Sequence, residues 1–273
     1  MNALLLRLSI VAILITALPS FSNADEYAGK KWPANEQVSI DQIKHDAWDA
    51  LLQKYVDTDG MVNYKAWHKN QTDRAALKTY LECLSMANPS AKATRDARMA
   101  YWINAYNALT IEGILRVYPT TSIRNHTAKL FGYNIWKKLH LQTGPSKINL
   151  DSIEHKVLRK MNEPRVHFAI VCASIGCPRL LNRAYTADQL ENQLSVNTTD
   201  FFSRSQNLQF DTATSKLKLS SILEWFGTDF GDTSKKQINA IAPYFPESAR
   251  KFITGNKFSV EYLDYNWQLN AQP

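Results

Sequence analysis

Apolar residues recur at helical spacing over most of the chain beyond residue 38. Ser39 and Gln42 form a capping-box pattern in front of apolar positions three and four apart, which predicts a first helix ending near Tyr55. Residues 94–117 are apolar nearly all round and are followed by Pro119, so they predict a long, buried central helix. Further helices are predicted at residues 72–86, 151–160, 187–203, 221–227 and 234–254.

Strand signals are fewer and shorter than helix signals. Apolar or alternating runs between turn-forming residues predict strands at 167–172, 208–210, 217–219 and 258–269. Residues 120–150 are interrupted by Gly, Pro and Asn and predict a structured loop. This mixture predicts an α+β fold: a helix-rich single domain around the central apolar helix, with a small, mostly antiparallel sheet.

The first 24 residues have the three-part pattern of a cleavable signal peptide. Arg7 precedes the apolar run 8–18, and a small-residue stretch ends at Ala24. The run is shorter than the roughly 20 residues that span a bilayer, which favours cleavage over a membrane anchor. Residues 25–37 are polar and predict a flexible arm, and residues 38–273 predict a single globular domain. We therefore expect a periplasmic or secreted protein with no transmembrane segment after signal cleavage.

The charge balance restricts the classes of partner. Lys and Arg number 32 against 25 Asp and Glu, a formal net charge of +7. The basic residues alternate with acidic ones and form no block, which is typical of a solvated basic surface and argues against specific nucleic-acid binding. We expect no cofactor, and a ligand that is a small molecule, a peptide or a component of the cell envelope.

Two amides on the central helix need hydrogen-bond partners. Asn104 and Asn107 are three residues apart and share one helix face. A buried amide without partners costs about 1–3 kcal/mol, so each side chain must meet polar groups. Either they contribute to a ligand pocket, or they hold the backbone of a neighbouring loop in place.

The helix at 151–160 presents a second polar pair. His155 and Arg159 are four residues apart on one face, where Arg159 suits a carboxylate or phosphate ligand. The alternative is a surface histidine beside an arginine held in a salt bridge.

Of the three cysteines, Cys172 lies where chemistry is expected. It ends the predicted strand 167–172 and enters a turn whose backbone N–H groups could lower a thiol pKa or bind an oxyanion. The alternatives are a buried apolar cysteine and a disulfide between Cys172 and Cys177. The spacing of Cys and His matches no zinc site, so we expect no metal.

The motifs together resemble the domain of unknown function 547 family. They are KYVDTDGMVNY (54–64), YWINAYNALT (101–110), LDSIEHKVLR (150–159), VHFAIVCASIGCP (166–178), LSSILEWFGTDFG (219–231) and VEYLDYNWQLN (260–270). The family's motif positions fall here on Asn104, Tyr106, Asn107, His155, Arg159, Cys172, Ser174 and Pro178. The last motif departs from the family's usual Tyr-Asp-Trp, because an amide, Asn266, replaces the acid. The resemblance implies a shared fold and site but no particular reaction.

Two functions are compatible with these residues. The first is a periplasmic binding or accessory domain, with a polar pocket formed by Asn104, Asn107, His155 and Arg159. The second is a thiol-dependent hydrolase or acyltransferase on an amide or ester, with Cys172 as nucleophile and His155 as its base. One of Asn104, Asn107 or Asn266 would orient the base, and we take Asn107 as the catalytic one. In both cases we expect ligand contacts from Asn104, Arg159, Ser174 and Asn266.

Overall fold

The fold is described from a computed structural model that covers residues 25–127, 134–144, 146–255 and 257–273. The signal peptide predicted for residues 1–24 lies outside these ranges. The α-helices of the described residues are α1 (Asp46–Tyr55), α2 (Tyr64–Lys69), α3 (Gln71–Leu84), α4 (Arg95–Val117), α5 (Ile135–Lys138), α6 (Leu150–Ser152), α7 (Leu190–Ser203), α8 (Ser221–Phe230), α9 (Ser234–Ile241) and α10 (Glu247–Gly255).

Helix α4 is the predicted central helix. It begins after Thr94, whose hydroxyl accepts a hydrogen bond from the backbone N–H of Ala97, and it ends two residues before Pro119. Its side chains from Met99 through Leu115 are all buried. The first hydrophobic core of the protein is built around this helix.

Six short strands form two three-stranded sheets in the described residues. Their bounds are β1 (Glu26–Ala28), β2 (Leu139–Thr143), β3 (Ser146–Asn149), β4 (Leu208–Asp211), β5 (Lys216–Ser220) and β6 (Ser259–Leu263). Strand β2 pairs parallel with β1 and antiparallel with β3. Strand β5 pairs antiparallel with β4, as the hairpin prediction required, and parallel with β6. The helix-rich α+β prediction is confirmed, but there are two mixed sheets where one mostly antiparallel sheet was expected.

The segment 25–37, predicted to be a flexible arm, is instead held on the domain. Its residues Glu26–Ala28 form β1, and the Trp32 indole donates a hydrogen bond to the carbonyl of Glu82 over 3.0 Å. Two of the strands, β2 and β3, also lie inside the segment 120–150 that was expected to be a loop.

The strand predicted at 167–172 does not form. Pro164 begins a 3-10 helix over Pro164–Phe168, and residues 169–172 join no sheet. Side-chain amides supply the backbone hydrogen bonds that a neighbouring strand would otherwise supply. Asn107 bonds to both Ala169 and Val171, and Asn197 donates to the carbonyl of Phe168. Apolar composition alone could not distinguish this segment from a buried strand.

Two other helices differ locally from the prediction. The segment predicted at 234–254 is divided into α9 and α10, since Pro243 and Pro246 remove backbone donors between them. The helix that carries His155 is capped by Asn149, whose side chain accepts from the Ser152 N–H, and not by Asp151. It continues from α6 as a π-helix over Ile153–Leu158.

A second hydrophobic core lies beside the first. It includes a group of phenylalanines from α7, α8, α10 and the 3-10 helix, namely Phe168, Phe201, Phe202, Phe230 and Phe252. Tyr265 packs against both cores. Among the described residues, no helix combines the length and the apolar character that crossing a bilayer requires.

Candidate functional site

A cavity of about 280 Å³ lies where the two cores meet. Its residues come from α4, the helical segment after β3, the turn that follows residue 170, α8 and the chain after β6. The polar residues that line it are Tyr106, Asn134, Lys137, Asp151, Glu154, His155, His167, Cys172, Cys177 and Tyr265.

Two cysteines and two hydroxyl groups form a connected cluster at this cavity. The Cys172 sulfur lies 3.2 Å from both the Ser174 hydroxyl and the Tyr265 hydroxyl. Cys177 Sγ accepts from the backbone N–H of Cys172 and the hydroxyl of Tyr265, each over 3.0 Å, and from the hydroxyl of Ser174 over 3.4 Å. All three cysteines of the chain, including the distant Cys83, are free thiols. Three donors therefore converge on one buried sulfur.

This convergence separates the pKa values of the two neighbouring thiols. Burial alone raises the pKa of Cys177, but hydrogen bonds from Cys172, Ser174 and Tyr265 outweigh it and lower the pKa to about 6. The pKa of Cys172 is raised well above its ordinary value, because its proton is shared with Cys177 and because it is desolvated. The pair thus holds one proton near neutral pH, with the negative charge on Cys177.

The turn between the cysteines is shaped to bring Tyr265 onto them. Ala173 has a left-handed φ of 59°, and the N–H of Gly176 donates to the carbonyl of Asn266 over 2.8 Å. A Cβ atom on Gly176 would lie 3.0 Å from the Tyr265 ring and from the Asn266 nitrogen. The absence of a side chain at Gly176 therefore allows the close approach of this turn to the chain after β6.

An imidazole–carboxylate pair borders the same cavity. His167 is buried, and its Nε2 lies 2.8 Å from Asp229, which Arg159 also binds through two hydrogen bonds of 2.6 and 2.8 Å. Donation from Arg159 and from His167 overcomes burial and lowers the pKa of Asp229 to about 2. Desolvation lowers the pKa of His167, so its imidazole is neutral near pH 7. Among the described residues nothing bonds to His167 Nδ1.

The second histidine at the cavity is held differently. His155 Nδ1 accepts a hydrogen bond from the Arg159 guanidinium over 3.2 Å, and its Nε2 lies 4.0 Å from Asp151. The side chain is 40% exposed, so His155 lies at the rim of the cavity. Because Arg159 occupies one ring nitrogen, only Nε2 is available to a ligand.

A half-buried carboxyl group also lines the cavity. Glu154 accepts a hydrogen bond from the Tyr106 hydroxyl over 3.2 Å. Desolvation raises the pKa of Glu154 above its ordinary value, and the nearby Cys177 contributes in the same direction. A carboxyl group with a raised pKa beside a thiolate is suited to donating a proton.

Aromatic rings also line the cavity. We call them the aromatic wall and define it as Trp136, Trp225, Phe226, Tyr265 and Trp267. The centroids of Tyr265 and Trp267 are 4.5 Å apart, and those of Trp225 and Tyr265 are 4.9 Å apart. Trp225 is 46% exposed, a high fraction for so large an apolar side chain. The cavity lining therefore combines aromatic rings with polar groups.

Comparison with known proteins identifies the family. The model of the family described as "Protein of unknown function, DUF547" matches residues 90–202. Residues 90–202 therefore form a DUF547 domain. No curated protein and no solved structure matches the chain significantly. In this DUF547 chain the matched range contains Glu154, both cavity histidines and both cavity cysteines, whereas the aromatic residues Trp225, Tyr265 and Trp267 follow it.

The structure brings only part of the predicted site of this DUF547 member together. Cys172 and His155 line the cavity, but Asn104 and Asn107 do not. Asn107 is bound to the backbone at Ala169 and Val171, and Asn104 donates to and accepts from the backbone of Tyr185. Both amides therefore hold loop backbone, and Asn107 is not placed to orient a catalytic base.

The remaining predicted site residues, Arg159, Ser174 and Asn266, do not line the cavity. Arg159 is paired with Asp229 and does not line the cavity, although it contacts His155. Ser174 lies behind the two sulfurs, where its hydroxyl donates to Cys177. Asn266 is exposed, and its side chain accepts from the backbone N–H of Gln268 over 2.9 Å.

Several functional positions of this DUF547 chain were not predicted. Glu154 was not among the predicted site residues, and His167 was placed only in the predicted strand 167–172. Asp229 and Tyr265 are 62 and 88 residues from His167 and Cys177 in sequence, so no local pattern links each pair. The motifs LSSILEWFGTDFG and VEYLDYNWQLN, which contain Asp229 and Tyr265, were the available signal.

Proposed function

We propose that this protein is a thiol-dependent hydrolase or acyltransferase that acts on an ester or amide bound in the cavity. The observation that carries the proposal is the set of three donors around Cys177 Sγ. A structural cysteine in an apolar core requires no such donors and keeps a raised pKa, whereas a nucleophile at neutral pH requires a stabilised thiolate.

Cys177 takes the role of nucleophile in this proposal. Its sulfur is at the cavity wall, 6% exposed, and carries the charge that the cysteine pair retains. Cys172, the nucleophile expected from sequence, keeps its proton and supplies the backbone N–H that stabilises the Cys177 thiolate. When the thiolate attacks a carbonyl its charge moves to the carbonyl oxygen, and the Tyr265 hydroxyl becomes free to donate there.

Proton transfer is assigned to two groups that line the cavity, Glu154 and His167. Glu154 donates a proton to the leaving oxygen or nitrogen, for which its raised pKa is suited. His167, neutral and oriented by Asp229, then removes a proton from the water or alcohol that attacks the thioester. His155, expected from sequence as the base, lies at the rim and contacts the bound substrate.

The decisive test is the pH dependence of thiol reactivity in a Cys83→Ala background. We expect iodoacetamide to modify Cys177 at a rate that is half-maximal near pH 6, with the site located by peptide mass spectrometry. The ultraviolet absorbance of the thiolate gives the same titration without requiring reagent access. Cys177→Ala should abolish the low-pH titration, and Cys172→Ala should keep a reactive Cys177. Titration of both thiols only above pH 8 would refute the proposal.

A non-enzymatic binding domain is the second candidate, because the open Trp225 ring and the cavity suit a ligand with or without chemistry. Its pocket would be the aromatic wall with Glu154 and His155, and not the set that includes Asn104 and Asn107. A Cys177→Ser variant that keeps the full biological activity of the protein would favour this candidate.

The site of action is proposed to be the periplasm or the exterior of the cell. The support is the sequence pattern of residues 1–24, with a basic residue, an apolar run and a small-residue end. Expression of the full chain followed by cell fractionation and N-terminal sequencing tests this location. A mature protein that starts near residue 25 in the periplasmic fraction is expected, and an intact N-terminus in the cytoplasm would contradict it.

A further inference from the structure

The aromatic wall gives the cavity a stacking surface that the thiol chemistry alone does not explain. Trp225 and Trp267 are stacked at 5.8 Å between centroids with an interplanar angle of 24°, and both line the cavity. Trp225 leaves 46% of its surface open to solvent. An exposed indole ring beside a cavity can bind a flat group by face-to-face contact.

Two arginines decide which kind of flat group fits. The Arg124 guanidinium lies 5.2 Å from the centroid of Trp267, and that of Arg159 lies 5.3 Å from the centroid of Phe226. These positions over the ring faces are the ones that an ammonium ligand would need for cation–π contact. Because protein cations already lie over Trp267 and Phe226, these two rings disfavour a cationic ligand.

Polar residues that line the same cavity offer hydrogen bonds to that group. Glu154, His155 and Asp151 present carboxyl and imidazole groups to the space that the aromatic wall also lines. A sugar ring matches both kinds of lining, since it has an apolar C–H face and hydroxyl groups around its edge. An aromatic peptide side chain matches only the aromatic wall and makes no hydrogen bonds to these carboxyl and imidazole groups.

We propose that the cavity binds a neutral sugar ring against Trp225 and Trp267, so that the natural substrate is an acylated sugar. This inference rests on the proposed function for the reaction and deepens it by naming the substrate class. The cavity volume of about 280 Å³ is near the lower end for small-molecule sites and suits one ring with a short acyl group.

The reaction on such a substrate is a balanced acyl transfer. The Cys177 thiolate forms a bond to the acyl carbon, the bond from that carbon to the sugar oxygen breaks, and the leaving oxygen takes the proton of Glu154. Water then attacks the thioester while His167 removes its proton, which releases the carboxylic acid and restores the Cys177 thiolate. The proton held by His167 returns to Glu154 through solvent, so the net change is hydrolysis of one ester.

Binding is tested without catalysis. Isothermal titration of the Cys177→Ala protein with chitotetraose, cellotetraose and maltotetraose is expected to show binding of at least one of these neutral sugars. Trp225→Ala should weaken that affinity about tenfold. Tyr262→Ala is the matched control, because Tyr262 is an aromatic residue of similar exposure, 42%, that does not line the cavity. It should bind the sugar as the parent does.

The outcomes separate the two proposals. Choline or the peptide Ala-Phe-Ala binding more tightly than every sugar would overturn the sugar inference, as would unchanged sugar affinity in Trp225→Ala or no sugar binding up to millimolar concentration. None of these results affects the titration of Cys177 near pH 6. Circular dichroism checks separately that Trp225→Ala is folded. Conversely, sugar binding without a low pKa of Cys177 would support a sugar-binding domain and contradict the proposed enzyme.

Discussion

The hydroxyl of Tyr265 donates a hydrogen bond to Cys177 Sγ over 3.0 Å, although 88 residues separate the two in sequence. The same hydroxyl lies 3.2 Å from the Cys172 sulfur and 3.0 Å from the Ser174 hydroxyl. Burial and the neighbouring sulfurs raise the pKa of Tyr265 well above its ordinary value, so it remains a donor over the whole physiological range. One phenol thus connects the sheet of β4, β5 and β6 to the reactive turn.

Replacing Tyr265 with Phe is therefore expected to destabilise the thiolate form of Cys177. A hydrogen bond to a charged group contributes about 1.5–3 kcal/mol, so the pKa of Cys177 should rise from about 6 to 7 or higher. The pH dependence of iodoacetamide labelling in the Cys83→Ala background measures this change.

The matched control is Tyr185→Phe. Tyr185 is also a buried tyrosine, but its hydroxyl has no hydrogen-bond partner among the described residues. Its removal should leave the pKa of Cys177 unchanged and should stabilise the fold slightly, by up to about 1 kcal/mol. An equal effect of both substitutions on thiol reactivity would contradict the role given to Tyr265.

Gly176→Ala tests whether the closeness of the turn to Tyr265 matters. The added Cβ would lie 3.0 Å from the Tyr265 ring, so the ring must move by a few tenths of an ångström and its donation to Cys177 should weaken. We expect a higher pKa of Cys177 and slower labelling at pH 7. Gly255→Ala is the control, since a Cβ there meets nothing within 4 Å. It should label as the wild type does.

Asp229→Asn is expected to reduce stability in a pH-dependent way. The lowering of the Asp229 pKa from 3.8 to about 2 corresponds to about 2 kcal/mol of folding free energy. Because the folded pKa is depressed, this contribution is complete above pH 4 and is lost as the pH falls from about 4 to about 2. Urea unfolding of the wild type and the variant should differ by about 2 kcal/mol at pH 7, with a smaller difference at pH 3. A difference that grows on acidification would contradict this assignment.

Asn107→Ala should act on stability through the backbone. Without the amide, the carbonyl of Ala169 and the N–H of Val171 lose their partners in a buried site, at a cost of about 2–4 kcal/mol in total. Urea unfolding measures the loss. A variant that keeps wild-type stability but loses the low pKa of Cys177 would instead show that Asn107 acts on the candidate site.

The sequence predicts the fold well where one periodic pattern controls the packing. The central helix, predicted at residues 94–117, is observed as Arg95–Val117, because its apolar surface and its Thr94 cap are local properties. The segment 167–172 is equally apolar, yet its backbone is satisfied by Asn107 and Asn197, which lie far away along the chain. Long-range hydrogen bonds of this kind have no signature in the segment itself.

The same contrast between local patterns and long-range contacts applies to the candidate site. Cys172 and His155 were placed at a common cavity by motif and spacing, and both line it. The distribution of charge between Cys172 and Cys177 depends on a hydroxyl from Tyr265, beyond the reach of a sequence pattern. The role of Asp229 likewise depends on α8 meeting the 3-10 helix that contains His167.

The position of the cavity between the two hydrophobic cores has a thermodynamic consequence. Its lining includes Ile170 and Cys177 from the first core and Ile222 and Phe226 from the second. A molecule lodged there would contact both, so part of its binding free energy would depend on their staying together. Saturating ligand should therefore merge the melting of the two cores into one sharper calorimetric transition at higher temperature.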